Sequence, residues 1–362
     1  MTKFILGLKL NRLFYQREVR PILAKEFSSL RYSAALIGWG SEVLGFDTAL
    51  SRDHHWGPRV LLFLSDVDFP GFSERIARQL SLNLPYKFMG YSTNFSKPEP
   101  NGVRHLVESS DGPVNHMVQI FTTRSFFKAR LGFDPAEEIT TTDWLTFPQQ
   151  RLLELTSGEV YHDGLRELRK LRRKFSYYPR DIWLYMLAAQ WKRISQEEAF
   201  IGRTADVGDE LGSKVVAARI VREIMRLGFM MERRYIPYSK WMGSAFNDLK
   251  MAKRLEPTLQ SVLMSRSWKE REQAMSKAYS IVAQAHNALG ITEQLPTKVS
   301  KYFNRPYLVI HADRFSEAIR KRIRSAEVRR LAEVGSLDQF TDSTDVVEDV
   351  ALQRRLRVAY DN

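Results

Sequence analysis

The chain of 362 residues contains no cysteine. That removes thiol nucleophiles, disulfides, Cys-ligated zinc and iron–sulfur clusters together. No apolar run approaches the ~20 residues of a membrane span, so no membrane partner is expected. The opening Met1–Phe14 is interrupted by Lys9 and Asn11, and no small-residue cleavage site follows. It reads as no secretory leader, and a cytoplasmic protein is expected. Asn94-Phe95-Ser96 fits a glycosylation acceptor, which without an export signal reads as chance. Internal repeats and low-complexity tracts are missing. Histidine is scarce, at seven, and lacks His-Glu-x-x-His spacing, so a zinc hydrolase has no support.

What is present is globular: 44% hydrophobic and 27% charged residues. The formal charge of +13 is uneven. Residues 1–160 carry only +1, whereas 161–240 carry +7 and 241–362 carry +5. A basic second part suits an anionic partner such as a triphosphate or a nucleic acid, and it equally suits a plain solvated surface.

The first part mixes strands and helices. Short apolar runs at 33–37, 60–64 and 117–121 predict strands, the second closed by Ser65-Asp66. Helical spacing covers 8–28, with Pro21 as a kink or break, then 71–83 and 124–131. The segment 97–113 reads as a loop. From Thr142 the periodicity turns helical. Trp183, Leu187, Trp191 and Ile194 make one stripe; Val207, Leu211, Val215, Ala218, Val221, Met225 and Phe229 make another, ended by Pro237. Further helices are predicted at 257–266, 268–289 and 313–333. The fold class is α+β: a mixed sheet with helices over 1–150, then a mainly helical domain over 151–362 with a short strand near 307–310.

One local arrangement carries chemistry. A strand runs into Gly38-Trp39-Gly40-Ser41, and Asp53-His54-His55 lies just before the next strand. A Gly-Ser turn presents backbone amides and a hydroxyl to a phosphate. A carboxylate from the neighbouring strand can hold Mg²⁺ against that phosphate, and two ions about 4 Å apart activate the attacking oxygen and steady the leaving one.

Here the sequence resembles the nucleotidyltransferase superfamily of DNA polymerase beta-like fold. Four stretches, 36–64, 207–227, 232–246 and 305–323, look like the bacterial domain-of-unknown-function family numbered 4037, so that the resemblance runs over nearly the whole chain. It implies transfer of a nucleoside monophosphate from a nucleoside triphosphate (NTP) to a hydroxyl on a small molecule or RNA. Gly40 and Ser41 would hold the triphosphate. The family pattern is Asp-x-Asp/Glu followed by a third carboxylate on a later strand. In this register Asp53 takes the first position, His55 the second and Gln119 the third, leaving one carboxylate of three. Asp53 and His55 are then the metal ligands, with Mg²⁺ or Mn²⁺ held weakly. Asp66-Val67-Asp68 has the spacing but sits at the far end of its strand and reads as a turn. In the helical part, Arg203, Lys214, Arg219 and Lys240 are candidate phosphate contacts. Tyr238-Ser239-Lys240, after Pro237, opens a helix and forms a candidate anion site. The resemblance also implies a helical-domain general base, Glu198 or Glu197, against the plain reading of a solvated pair. The alternative function is a catalytically degenerate module that still binds a nucleotide or nucleic acid.

Overall fold

Three of the short apolar runs form the middle and one side of a four-stranded sheet. β1 (Ser33–Leu36), β2 (Arg59–Leu64) and β3 (Met117–Thr122) match the predicted strands to within a residue. A fourth, β4 (Glu159–Asp163), pairs with β1, and the order across the sheet is β3-β2-β1-β4. β1 is antiparallel to both neighbours, whereas β2 and β3 are parallel. A parallel pair needs a crossover; helix α2 (Phe69–Asn83) lies within it. The class is α+β. The computed structural model describes residues 4–52 and 54–360.

Contacts divide the chain into two units, Met1–Ile139 with Arg151–Ser176, and Thr140–Gln150 with Tyr177–Asn362. In the first unit Val60, Leu62 and Leu64 point from β2 into a core with Leu10 and Phe14 of α1 (Gly7–Phe14) and Ile76 and Leu80 of α2. On the opposite face Phe63 meets Phe126 of α3 (Thr123–Leu131) edge-on at 5.4 Å between ring centroids. The predicted 8–28 helix is divided by a wider turn at Tyr15–Val19, and Pro21 follows directly in the segment Arg20–Glu26, which continues the same helix. A basic helix, α4 (Leu168–Lys174), completes this unit.

The second unit is mainly helical. α5 (Arg180–Glu197) buries Trp183, Leu187, Trp191 and Ile194, the stripe that its sequence predicts. Trp191 stacks on Phe315 of α10 (Asp313–Arg320) at 4.2 Å. In α6 (Glu210–Met231) the predicted stripe fails at its start: Val207, Leu211 and Val215 are exposed, while Ser213, Ala217, Ile220 and Ile224 face inward. The reason is polar. Fully buried Arg271 donates to Ser213 Oγ at 2.7 Å and to Glu210 at 2.6 Å, and Ser213 donates to the carbonyl of Ile201. A satisfied hydroxyl therefore occupies the inward position that hydropathy assigns to leucine. The helix ends at Met231, short of Pro237, and α7 (Ser239–Asn247) follows that proline. α8 (Ala252–Met264) begins five residues before Pro257 and runs through it, and α9 is Trp268–Ala288. The predicted 313–333 helix breaks after α10 and resumes at Ala326–Arg330. Leu308–Val309 is a strand, paired with Ser300–Lys301.

Candidate functional site

After β1 the chain turns through Gly38 (φ +89°) and Gly40 (φ +120°) into a single helical turn, Ser41–Leu44. The neighbour that β2 brings against this turn is a cation. Arg59, at the start of β2, donates from Nε to Glu42 at 2.8 Å and from Nη2 to the carbonyl of Trp39 at 2.6 Å. The Arg59–Glu42 ion pair closes to 2.6 Å with both side chains almost fully buried, 1% and 2% exposed. The guanidinium also lies over the Trp39 ring. Asn11 of α1 accepts the Arg59 backbone N–H at 2.5 Å, which fixes where β2 begins. A second set holds the turn's other side. The Gly38 N–H donates to the carbonyl of Glu154, whose carboxylate pairs with Arg130 and Arg151. Substituting Gly40 by Ala would place a methyl 2.5 Å from both Arg59 Nη2 and Glu42 Oε2 at a positive φ. Gly40→Ala should cost about 2–3 kcal/mol in chemical denaturation, combining backbone strain with displacement of the pair. A cost below ~0.5 kcal/mol would mean that the pair yields easily.

Asp53 lies outside the described residues. His55 is not on β2 but in a turn four residues before it, with φ +56°. Its backbone N–H donates to the carbonyl of Arg104, and its Nδ1 is buried without a partner. Burial lowers its pKa, and the charges of Arg59 and Arg104 and the nearby His54 and His105 lower it further. The imidazole is therefore neutral at pH 7. Gln119 sits in β3 beside Leu61, on the face of the parallel pair that also carries Arg59, two residues from Leu61. Gln119 Oε1 and Arg59 Nη1 are likewise buried without partners. Unpaired buried polar atoms are rare in folded chains, and this end of the sheet holds three.

Of the described residues at this end of the sheet, His55 and Gln119 bring no negative charge, and Glu42 is the carboxylate nearest to Ser41 in sequence. Among the described residues no group of three His, Asp or Glu side chains is placed to hold a metal ion. Glu42, the carboxylate next to Ser41, is already committed to Arg59. A hard divalent cation needs several anionic oxygens converging on one point, and the described side chain that meets the Gly-Ser turn is the Arg59 guanidinium. Asp66-Val67-Asp68 is a turn: Asp68 accepts from Ser65 Oγ at 2.6 Å just before α2.

The remaining predicted residues lie in the second unit. Arg203 is exposed and rests over Phe200, Lys214 is exposed, and Arg219 pairs with Glu197 at 3.0 Å. Tyr238 precedes α7, its backbone N–H donating to Gln150, and Lys240 lies exposed over Trp241 in the first turn. Glu198 is buried, not solvated. Its carboxylate accepts the backbone N–H groups of Ile310, His311 and Ala312 at 2.9, 3.0 and 3.1 Å, directly before α10. Burial raises its pKa to about 7, and the three amides pull it down only in part. Sequence reasoning singled out neither Arg59 nor Glu42; a charged residue opening an apolar strand was the one available signal.

Residues 144–242 match the family described as Domain of unknown function (DUF4037). That span takes in 207–227 and most of 232–246 of the four stretches that carry the resemblance; 36–64 and 305–323 fall outside it. The crystal structure of a nucleotidyltransferase-like protein from Exiguobacterium sibiricum 255-15 is similar over 76% of this chain and 77% of that one, with 9% identity and a TM-score of 0.33. A likeness at that level carries no argument about the site. No curated protein matches the sequence. Among the described residues no helix is long and apolar enough to cross a membrane.

Proposed function

Taking residues 144–242 as a DUF4037 segment, we propose that the chain is a nucleotidyltransferase-like protein that binds a nucleoside triphosphate at Gly40-Ser41 without two-metal transfer. The observation that carries this reading is the buried Arg59–Glu42 pair, which sets a cation against the Gly-Ser turn and engages the carboxylate next to Ser41. Arg59 Nη1 is a buried donor without a partner beside the turn, and Ser41 on the turn is partly exposed; a guanidinium N–H and a hydroxyl both suit a phosphate oxygen.

A second reading is favoured by the free Nδ1 of His55 and Oε1 of Gln119. In it Asp53, His55 and Gln119 hold one Mn²⁺ or Mg²⁺ weakly, and a nucleoside monophosphate passes to a small-molecule or RNA hydroxyl. Calorimetric titration with ATP, CTP, GTP and UTP, in EDTA and then with Mg²⁺ or Mn²⁺, separates the two. The expected result is an affinity that changes less than about 3-fold with metal, and roughly 5-fold weaker binding in Ser41→Ala, the worth of one hydrogen bond. His55→Asp with Gln119→Glu should strengthen Mg²⁺ binding. Metal-dependent transfer by the unaltered protein that is lost in Asp53→Ala would establish the second reading instead.

A further inference from the structure

β2 has two ends. The Gly-Ser turn meets its first residue, Arg59, whereas its last, Leu64, lies roughly 17 Å away at the rise of an extended strand. β3 is parallel to β2 and ends beside it, Leu64 opposite Thr122. A cavity of about 590 Å³ opens there. It lies wholly within the first unit, and its size suits a small-molecule ligand. The basic run 166–174 supplies one wall.

Three features of that cavity point to a phosphate group. The first is α3, nine residues long, whose first turn lines it. Thr122 and Ser125 cap each other, which uses the Ser125 amide; the amides of Thr123 and Arg124 have no partner within the helix. The second is Thr123 itself. Its side chain is 3% exposed, lines the cavity, and leaves Oγ1 without any hydrogen-bond partner. The third is the pair Lys170 and Lys174, one helical turn apart on α4, which make no ion pair among the described residues. α4 is held in place from its other side, where Arg172 donates to the carbonyls of Leu155, Thr156 and Ser157. The two lysines are therefore presented by a fixed helix and are not free tails.

The cavity also carries acids. Asp66 and Glu167 line it, and Arg124 is engaged by Asp134 at 2.5 Å. A bare polyanion fits such a mixed lining poorly. A phosphate carried on a sugar fits it well, because carboxylates accept hydrogen bonds from hydroxyls while ammonium groups and helix amides take the phosphate. Leu64, Leu171 and Pro135 supply the apolar wall that a sugar or base face needs.

We propose that this cavity is a second binding site, for a phosphorylated sugar of the size of a nucleoside 5′-monophosphate. Its phosphate sits at the α3 N-terminus between Thr123, Lys170 and Lys174, and its hydroxyls face Asp66 and Glu167. The site lies at the opposite end of the sheet from Gly40-Ser41 and does not depend on what that turn binds.

The test uses the full chain in EDTA with two probes, 5′-AMP and inorganic phosphate, read by calorimetry and by acetylation of lysines followed by mass spectrometry. AMP is expected to bind at least 10-fold more tightly than inorganic phosphate, and to protect Lys170 and Lys174 at least 5-fold while exposed Lys250 stays reactive. Lys170→Ala with Lys174→Ala, both on the surface, should weaken AMP at least 10-fold. Thr123→Val should weaken it about 5-fold at unchanged melting temperature. Asp66→Asn with Glu167→Gln should weaken AMP and leave inorganic phosphate alone. Absence of binding at 10 mM AMP, equal affinity for the two probes, or unprotected Lys170 and Lys174 would overturn the proposal. AMP binding that survives the double lysine variant would do the same, and would place the bound nucleotide elsewhere.

Discussion

Arg59→Met should destabilise the protein by about 3–5 kcal/mol, measured by urea unfolding, because it strands the Glu42 carboxylate in a site only 2% exposed. The same substitution removes the donor to the Trp39 carbonyl and so loosens the Gly-Ser turn itself. Arg59→Met combined with Glu42→Leu should recover most of the loss, since two apolar side chains of similar volume avoid the cost of burying charge. A double-mutant cycle then gives a coupling well above the ~0.3–0.5 kcal/mol scatter expected of independent sites. If the single substitution costs under 1 kcal/mol, the pair is solvated in practice and the turn is shaped by its glycines alone. The two variants also bear on function: a recovered double variant that no longer binds nucleotide would make Arg59 a ligand contact as well as a brace.

That pair shows where sequence reading stopped. β1, β2 and β3 were legible because each is a short apolar run bounded by turn residues, and the α5 stripe was legible because four bulky residues share one face. β4 was not. Glu159-Val-Tyr-His-Asp is short and polar, and edge strands carry such residues because one side of their ladder meets solvent. The inward face of α6 was misread because Ser213 is made comfortable by Arg271, 58 residues away. The helix predicted at 257–266 starts earlier than its sequence suggests: it begins at Ala252, and Pro257 lies inside it. At the site, Gly38, Gly40 and Ser41 were visible as a turn. The partner that decides the chemistry, Arg59, became visible only when the register of β1 against β2 brought it alongside. Glu198 follows the same rule, its burial being tolerable only because three amides more than a hundred residues later converge on it.

Glu198 and a distant histidine should together give the protein an unusual pH profile. The fold holds the Glu198 proton more tightly than the unfolded chain does, with a pKa near 7 against an ordinary 4.5. Its stabilisation is therefore complete below about pH 4.5 and is lost as pH rises through 7, a swing of roughly 3 kcal/mol. His286 does the reverse. It is fully buried, packs edge-on against Trp191 and Phe315, and bonds through Nε2 to Thr292. Burial lowers its pKa from 6.5 to about 4. The unfolded chain then binds the extra proton, so this contribution is complete above pH 6.5 and is lost as pH falls through 4, again by roughly 3 kcal/mol. Between about pH 4.5 and 6.5 the two slopes oppose each other and cancel. Glu198→Gln leaves the histidine slope alone, and its stability, relative to the unaltered protein, should rise by about 3 kcal/mol from pH 4.5 to 7. His286→Gln leaves the carboxylate slope alone, and its relative stability should fall by a similar amount as pH rises from 4 to 6.5. Glu198→Ala, which deprives three backbone amides of their acceptor, should cost at least ~3 kcal/mol at every pH. Urea midpoints at five pH values measure all four proteins. Parallel curves for Glu198→Gln and the unaltered protein would show that the three amides, not burial, set this carboxyl group, and that it is ionised throughout.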